Sequence, residues 1–219
     1  MHHYVKFHGS QEKIEVGKIL CVGRNYAAHA QELGNELPEF PIIFLKPASV
    51  LIQSGQNVVH PPYSTNLHHE IELVVLIGNE MKNVDEKKAL KDIAGYGVGL
   101  DMTLRDLQNE QRAKGEPWTL AKCFDTSAVV SEFVSHTSVP NILKEDITLQ
   151  VNGATRQNSS LSKMIFSPAA IISYISERLK LEPGDLIFTG TPEGVSRVVQ
   201  GDKLQGNIGS HCFIETQIV

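Results

Sequence analysis

Apolar residues fall in short blocks rather than long periodic tracts: KILCVG, IIFLKP, LHHEIELVVLIG, GYGVGLDMT, AVVSEFV, ITLQVNG, DLIFTG and the terminal CFIETQIV, nearly all bounded by Gly or Pro. Their length and β-branched content predict strands. Helical signals are confined to four stretches. YAAHAQEL takes Asn25 as its cap and Gly34 as its stop, DEKKALKD and TLRDLQNEQRAK follow, and PAAIISYISERL begins on a Ser167 cap with Pro168 in its first turn. Only the last is strongly apolar. Helices and strands do not alternate as βαβ units and no internal repeat appears, so the pattern predicts a β-rich α+β fold and not a dinucleotide-binding one.

Read as one continuous strand, LHHEIELVVLIG places His68, Glu70 and Glu72 on one face and Ile71, Leu73 and Val75 on the other. Glutamates two positions apart lie about 6.5 to 7 Å apart along the backbone. Flexible carboxylates can close that gap on one cation, whose oxygen ligands sit at about 2.0 to 2.6 Å. Asp101 ends the uncharged run AGYGVGL. An acid at the end of a buried strand is costly unless neutralised, which makes it the natural third ligand. Two carboxylates about 4 Å apart repel by roughly 4 kcal/mol at an effective dielectric near 20, so three must protonate, separate or recruit a cation. By spacing alone the pair also reads as the solvated face of an amphipathic strand. His68 adds a further alternative, a His-Glu-Glu set suited to zinc or iron rather than the all-oxygen sphere of Mg²⁺ or Mn²⁺.

His29 and Glu32 stand at i and i+3 on one helix face, either as a general-base pair or as an exposed ion pair. Lys122, set among apolar residues in TLAKCF, offers a positive charge to a developing enolate or carboxylate, unless it only snorkels to solvent. Arg24, Lys46, Gln108 and Thr191 are further candidate contacts for an anionic substrate.

Composition narrows the class. A chain of 219 residues with 41% hydrophobic and 21% charged residues folds as one domain, 1–219, with 1–16 as a short lead-in. A formal net charge of -5 without a basic stripe weighs against nucleic acid. Cys21, Cys123 and Cys212 are too sparse for a disulfide framework or a sulfur-ligated zinc. No apolar run is long enough to cross a bilayer and MHHYVKFHGS lacks a signal pattern, so a cytoplasmic protein is expected.

Taken in order, VGRNYAAHAQELG, FLKP, LHHEIELVVLIG, GYGVGLDMTLRDLQ, WTLAKCFD and GDLIFTGTPEGV resemble the fumarylacetoacetate hydrolase family over nearly the whole chain. Within it the chain is most similar to the small acylpyruvase and oxaloacetate decarboxylase or tautomerase branch, and next to the 2-hydroxyhepta-2,4-diene-1,7-dioate isomerases. The resemblance implies a mixed β-roll of the family's C-terminal-domain type with a few peripheral helices, and a homodimer. It implies Mg²⁺ or Mn²⁺ on Glu70, Glu72 and Asp101, with His68 outside the ligand set. Catalytic roles then fall on His29, Glu32 and Lys122, and contacts to a small 2-oxo acid on Gln108 and Thr191, with Arg24 and Lys46 beside them. The implied activity is acylpyruvate hydrolysis, oxaloacetate decarboxylation or keto-enol tautomerisation, with fumarylpyruvate hydrolysis or dienedioate isomerisation as alternatives. A silent protein that binds metal and 2-oxo acid is the rival from another class, and Glu32 and Lys122 argue against it because a structural ion needs neither. Two departures bear on loop shape and substrate choice. Ser196 and Arg197 stand where the family continues Gly-Pro, and RQNSS stands where it has an RQ-x-G turn.

Overall fold

Seven consecutive buried residues, Ile71–Ile77, make the strand on which the molecule is assembled. The computed structural model describes residues 3–32, 34 and 36–219, so His2 and the predicted helix end at Leu33 lie outside the described residues. In chain order the first nine strands are β1 (Tyr4–Val5), β2 (Ile14–Glu15), β3 (Lys18–Gly23), β4 (Ile42–Pro47), β5 (Leu51–Gln53), β6 (Leu67–His68), β7 (Ile71–Ile77), β8 (Ile93–Asp101) and β9 (Thr103–Leu104). They are followed by β10 (Ala128–Val130), β11 (Val134–Ser135), β12 (Asp146–Val151), β13 (Ala154–Ser160), β14 (Leu186–Phe188), β15 (Lys203–Ile208) and β16 (Cys212–Gln217). The helices are α1 (Ala27–Glu32), α2 (Glu86–Lys91), α3 (Arg105–Lys114), α4 (Thr119–Lys122) and α5 (Pro168–Arg178).

A curled mixed sheet runs β4-β3-β14-β7-β8-β10-β5, with β11 also on β8, and a separate antiparallel sheet runs β13-β12-β15-β16. Alternate residues of β7 feed two cores. Ile71, Leu73, Val75 and Ile77 pack with β12, β15 and α5 residues such as Leu149, Leu204 and Ile172, whereas Val74 and Leu76 pack with Cys21, Phe133 and Phe188. Coverage on both faces explains why the strand reads as a continuous apolar run. β8 divides its faces by size. Tyr96, Val98 and Leu100 enter the first core, while Gly95, Gly97 and Gly99 form a bare stripe on the other face that ends in Asp101. A Cβ at Gly99 would stand 2.6 Å from both Phe188 and Val74, and one at Gly95 would stand 2.6 Å from Phe7. The glycines are there because aromatic rings lie against the strand.

The structure corrects two local expectations and adds two elements. Residues 67–78 are not one strand: β6 pairs with β9, β7 pairs with β8 and β14, and His69 and Glu70 form the joint between them. Asn25 does not cap α1, because its side chain is taken up by the Phe166 and Thr189 carbonyls and the Phe166 N–H. α4 and the polar strand β13 were not legible: α4 has four residues, and β13 buries only Gln157 and Ser159 along ATRQNSS. The caps foreseen at α5 and α2 are present, with Ser167 accepting from the Ala170 N–H and Asp85 from the Lys88 N–H.

Candidate active site

The Glu72–Gly99 register, extended by the bond from the Asp101 N–H to the Glu70 carbonyl at 2.8 Å, brings Glu70, Glu72 and Asp101 to one end of the β7–β8 ladder. One oxygen from each lies within 4.8 Å of the others, and all three residues are buried. The solvated-face reading of the E-x-E pair is thereby removed, since Glu72 is 2% exposed and Glu70 5%. His68 is not in this group. Its Nε2 pairs with Asn66 Oδ1 at 3.0 Å, and burial lowers its pKa to about 4.

Cations surround the carboxylates unevenly. Lys122 Nζ lies 2.6 Å from both Glu70 Oε2 and Asp101 Oδ2, and Arg105 pairs with Glu70 Oε1. Lys46 Nζ is 2.8 Å from Asp101 Oδ1 and also donates to the Ser127 carbonyl at 2.9 Å. Burial works to raise the Glu70 pKa, but Lys122 and Arg105 together hold it below the ordinary carboxylate value. Burial likewise opposes charge on Lys122, and Asp101 and Glu70 override it and raise its pKa. Glu72 differs. Burial, then Asp101, then Glu70 push its pKa well up, and its close partner is the Gly190 N–H at 2.7 Å. Three hard oxygen donors, one of them undercompensated, fit a divalent cation of the Mg²⁺ or Mn²⁺ type.

The other expected residues divide into three groups, of which Lys46 and the His29–Glu32 pair do not line the carboxylate cavity. Arg24, Gln108, Thr191 and Lys122 border the cavity that contains the carboxylates. Lys46 does not, because it lies behind Asp101 with its ammonium committed to carbonyl oxygens and that carboxylate, so the structure assigns it to neutralising Asp101 and not to a ligand. His29 is buried on α1, with Nδ1 3.3 Å from Glu32 Oε2, and Glu32 also accepts from the Gly194 N–H at 3.2 Å. Burial lowers the His29 pKa, while Glu70 and the Glu32 hydrogen bond oppose the shift. An imidazole in this setting stays neutral to lower pH. The acid limb of any reaction it serves is expected below the ordinary value of 6.5, and Glu32→Gln should move it lower still. A pH profile of kcat with the limb at or above 6.5 would count against the assignment.

Arg105 is one of the cavity residues that the sequence alone did not point to. It opens α3 and donates to Gln108 as well as to Glu70, and its buried Nε has no partner among the described residues. Its i, i+3 spacing with Gln108 was the available signal. Arg112, one turn beyond Gln108, borders the same cavity, and its charge is felt at Arg24. Gly190 makes the turn over the triad possible. Its φ is +97°, and a Cβ there would stand 2.6 Å from Asn25 Cβ.

Comparison with known proteins shows the family. Residues 18–219 match the Fumarylacetoacetate (FAA) hydrolase C-terminal family. The chain is 47% identical over 195 residues to the mitochondrial oxaloacetate tautomerase FAHD1 of Bos taurus, covering 89% of this chain and 88% of that protein. Among solved structures it resembles fumarylpyruvate hydrolase from Pseudomonas aeruginosa in complex with Mn²⁺ and pyruvate, with TM-score 0.96 and 39% identity over 100% of this chain and 96% of that one. It also resembles 2-hydroxyhepta-2,4-diene-1,7-dioate isomerase from Mycobacterium marinum, with TM-score 0.83 and 34% identity over 94% of this chain and 75% of that one. No helix among the described residues is long and apolar enough to cross a membrane.

Proposed function

This chain belongs to the fumarylacetoacetate hydrolase family, and from that premise we propose that it is a divalent-metal-dependent enzyme that interconverts the keto and enol forms of oxaloacetate. The observation that carries the reading is the pairing, in one cavity, of three carboxylates with the guanidinium groups of Arg24, Arg105 and Arg112. Carboxylates suit a cation, and several guanidinium groups suit a substrate with two carboxylates of its own. Glu70, Glu72 and Asp101 would hold Mg²⁺ or Mn²⁺, which when bound supplies Lewis-acid stabilisation to negative charge on a 2-oxo acid.

The chain's own residues do the rest. Lys122, held charged by its carboxylate neighbours, shares the negative charge that develops on the enolate oxygen. Arg105 and Gln108 orient the carboxyl end. Aromatic and apolar walls from Phe44, Trp118 and Val22 limit water around these groups.

A second reading, cleavage of acylpyruvates or fumarylpyruvate, is favoured by the hydrogen bond between the buried His29 and the exposed Glu32. There His29 takes a proton from the water that attacks the distal carbonyl. His29→Ala is expected to bind metal as the wild type does in calorimetry and to keep oxaloacetate exchange, while diketo-acid cleavage falls by about 10² to 10⁴. Undiminished acetylpyruvate cleavage in that variant would refute the base assignment. The test of the whole reading is a panel of oxaloacetate, acetylpyruvate, fumarylpyruvate and hydroxyheptadienedioate, with Mg²⁺ and Mn²⁺ side by side. Oxaloacetate exchange should give the highest kcat/KM. Stoichiometric metal and oxalate binding without turnover of any member would leave a silent binding protein.

A further inference from the structure

Behind the cavity wall, His69, Gln157 and Ser196, which the proposed chemistry does not use, join Thr191 in a chain of hydrogen bonds whose proton directions are all determined. Gln157 is fully buried in β13, and two backbone groups fix its amide. The Pro192 carbonyl, 2.9 Å from Nε2, can only accept, and the Ile71 N–H, 3.2 Å from Oε1, can only donate. Oε1 is therefore an acceptor, so His69 Nδ1, 2.9 Å from it, carries the imidazole proton. The lone pair on His69 Nε2 then receives the Ser196 hydroxyl proton at 2.9 Å. At the other end, Gln157 Nε2 donates to Thr191 Oγ1 at 2.8 Å, and the Thr191 hydroxyl gives its one proton to the Ile71 carbonyl at 2.8 Å.

Thr191 borders the cavity, yet its hydroxyl has no proton left for a ligand. Its main-chain N–H has no hydrogen-bond partner among the described residues. The preceding N–H, of Gly190, already serves Glu72. We infer that residue 191 meets the substrate's negative charge with its main-chain N–H. The threonine side chain is a strut, through which His69, Gln157 and Ser196 act as positioning residues for loop 189–194. Ser196, which with Arg197 forms one of the two departures from the family pattern, thereby acquires a defined role, since it locks the His69 tautomer and, through it, the glutamine. The inference rests on the 2-oxo acid reading of the cavity and assigns one of its donors.

The test uses the Mg²⁺-loaded, isotope-labelled protein, with oxalate as probe. On addition of oxalate the Thr191 amide proton should move downfield in the ¹H–¹⁵N spectrum, and the His69 ring nitrogens should report an Nδ1–H tautomer before and after. Gln157→Leu and Thr191→Val should each weaken oxalate by about tenfold and raise KM more than they lower kcat. The double variant should be no weaker than either single one, and Thr191→Ser, which keeps the hydroxyl, should recover most of the affinity lost in Thr191→Val. A Thr191 amide unmoved by oxalate, or unchanged oxalate affinity in Gln157→Leu beside a large loss in Thr191→Val, would overturn the inference in favour of direct contact by the hydroxyl. Thermal unfolding of each variant separates positioning from misfolding. Failure of the wild type to bind oxalate would sink the 2-oxo acid reading instead, and an Nε2–H tautomer of His69 would then still sink the strut on its own.

Discussion

Replacing Glu72 with glutamine is expected to cost the protein its bound divalent ion and at least about a thousandfold of its turnover, while the metal-free chain becomes no less stable. A cation that stabilises developing charge is worth several kcal/mol to a reaction of this type, which sets the scale of the loss. The substitution is nearly isosteric, and an amide oxygen can still accept from the Gly190 N–H that now lies 2.7 Å from Glu72. It also removes the like charge that Asp101 and Glu70 press against. The pH dependence has a definite sign. Burial and those neighbours raise the folded-state pKa of Glu72 above its ordinary 4.5, so folding holds a proton that the unfolded chain releases. Metal-free wild type should therefore lose stability as pH rises from 4.5 through the folded value, and Glu72→Gln should lack that loss. Elemental analysis after dialysis, turnover and urea titrations at several pH values would measure all three effects. A variant holding a full equivalent of metal would refute the ligand assignment.

The second large effect is on stability. Asp101→Ala is expected to destabilise the protein by about 3 to 5 kcal/mol, because it strips a buried partner from two buried ammonium groups at once. Lys46 Nζ lies 2.8 Å from one Asp101 oxygen and Lys122 Nζ 2.6 Å from the other. Lys122 would retain Glu70, whereas Lys46 would keep only carbonyl oxygens. Adding Lys46→Met to Asp101→Ala should recover part of the loss, since an apolar chain of similar length needs no counter-charge. Urea unfolding of the single and double variants decides it. A loss below about 1 kcal/mol in the single variant would mean that water or local rearrangement satisfies both lysines, and the buried-pair account would fail.

What could be read in advance followed the physics of each segment. The meeting of Glu70, Glu72 and Asp101 was legible in part: an acid closing an uncharged run is an expensive placement, but the E-x-E pair by spacing alone also read as a solvated strand face, and the family resemblance decided between them. The α5 cap was legible because Ser-Pro before an apolar period is a strong local signal. The break at His69–Glu70 was not, because pairing with β9 on one side and β8 on the other is decided by distant strands, and local alternation continues smoothly across it. Lys46 was misplaced for a related reason: a lysine before a proline carries no mark of which buried carboxylate it will face. Arg105 escaped notice because its neighbours in TLRDLQ are unremarkable until α3 turns them toward Glu70. β13 was hidden by composition, since an outer strand can be almost wholly polar when one face meets solvent.

The bare stripe of β8 has one more consequence. Slipping that strand by a single residue against β7 would swing Tyr96, Val98 and Leu100 into the space claimed by Phe7, Phe133 and Phe188, which have no room for a side chain there. Misaligned pairings are thus excluded by sterics before any ion or substrate enters, and the address of the terminal aspartate is written three times over in hydrogen atoms where other residues would carry methyl groups.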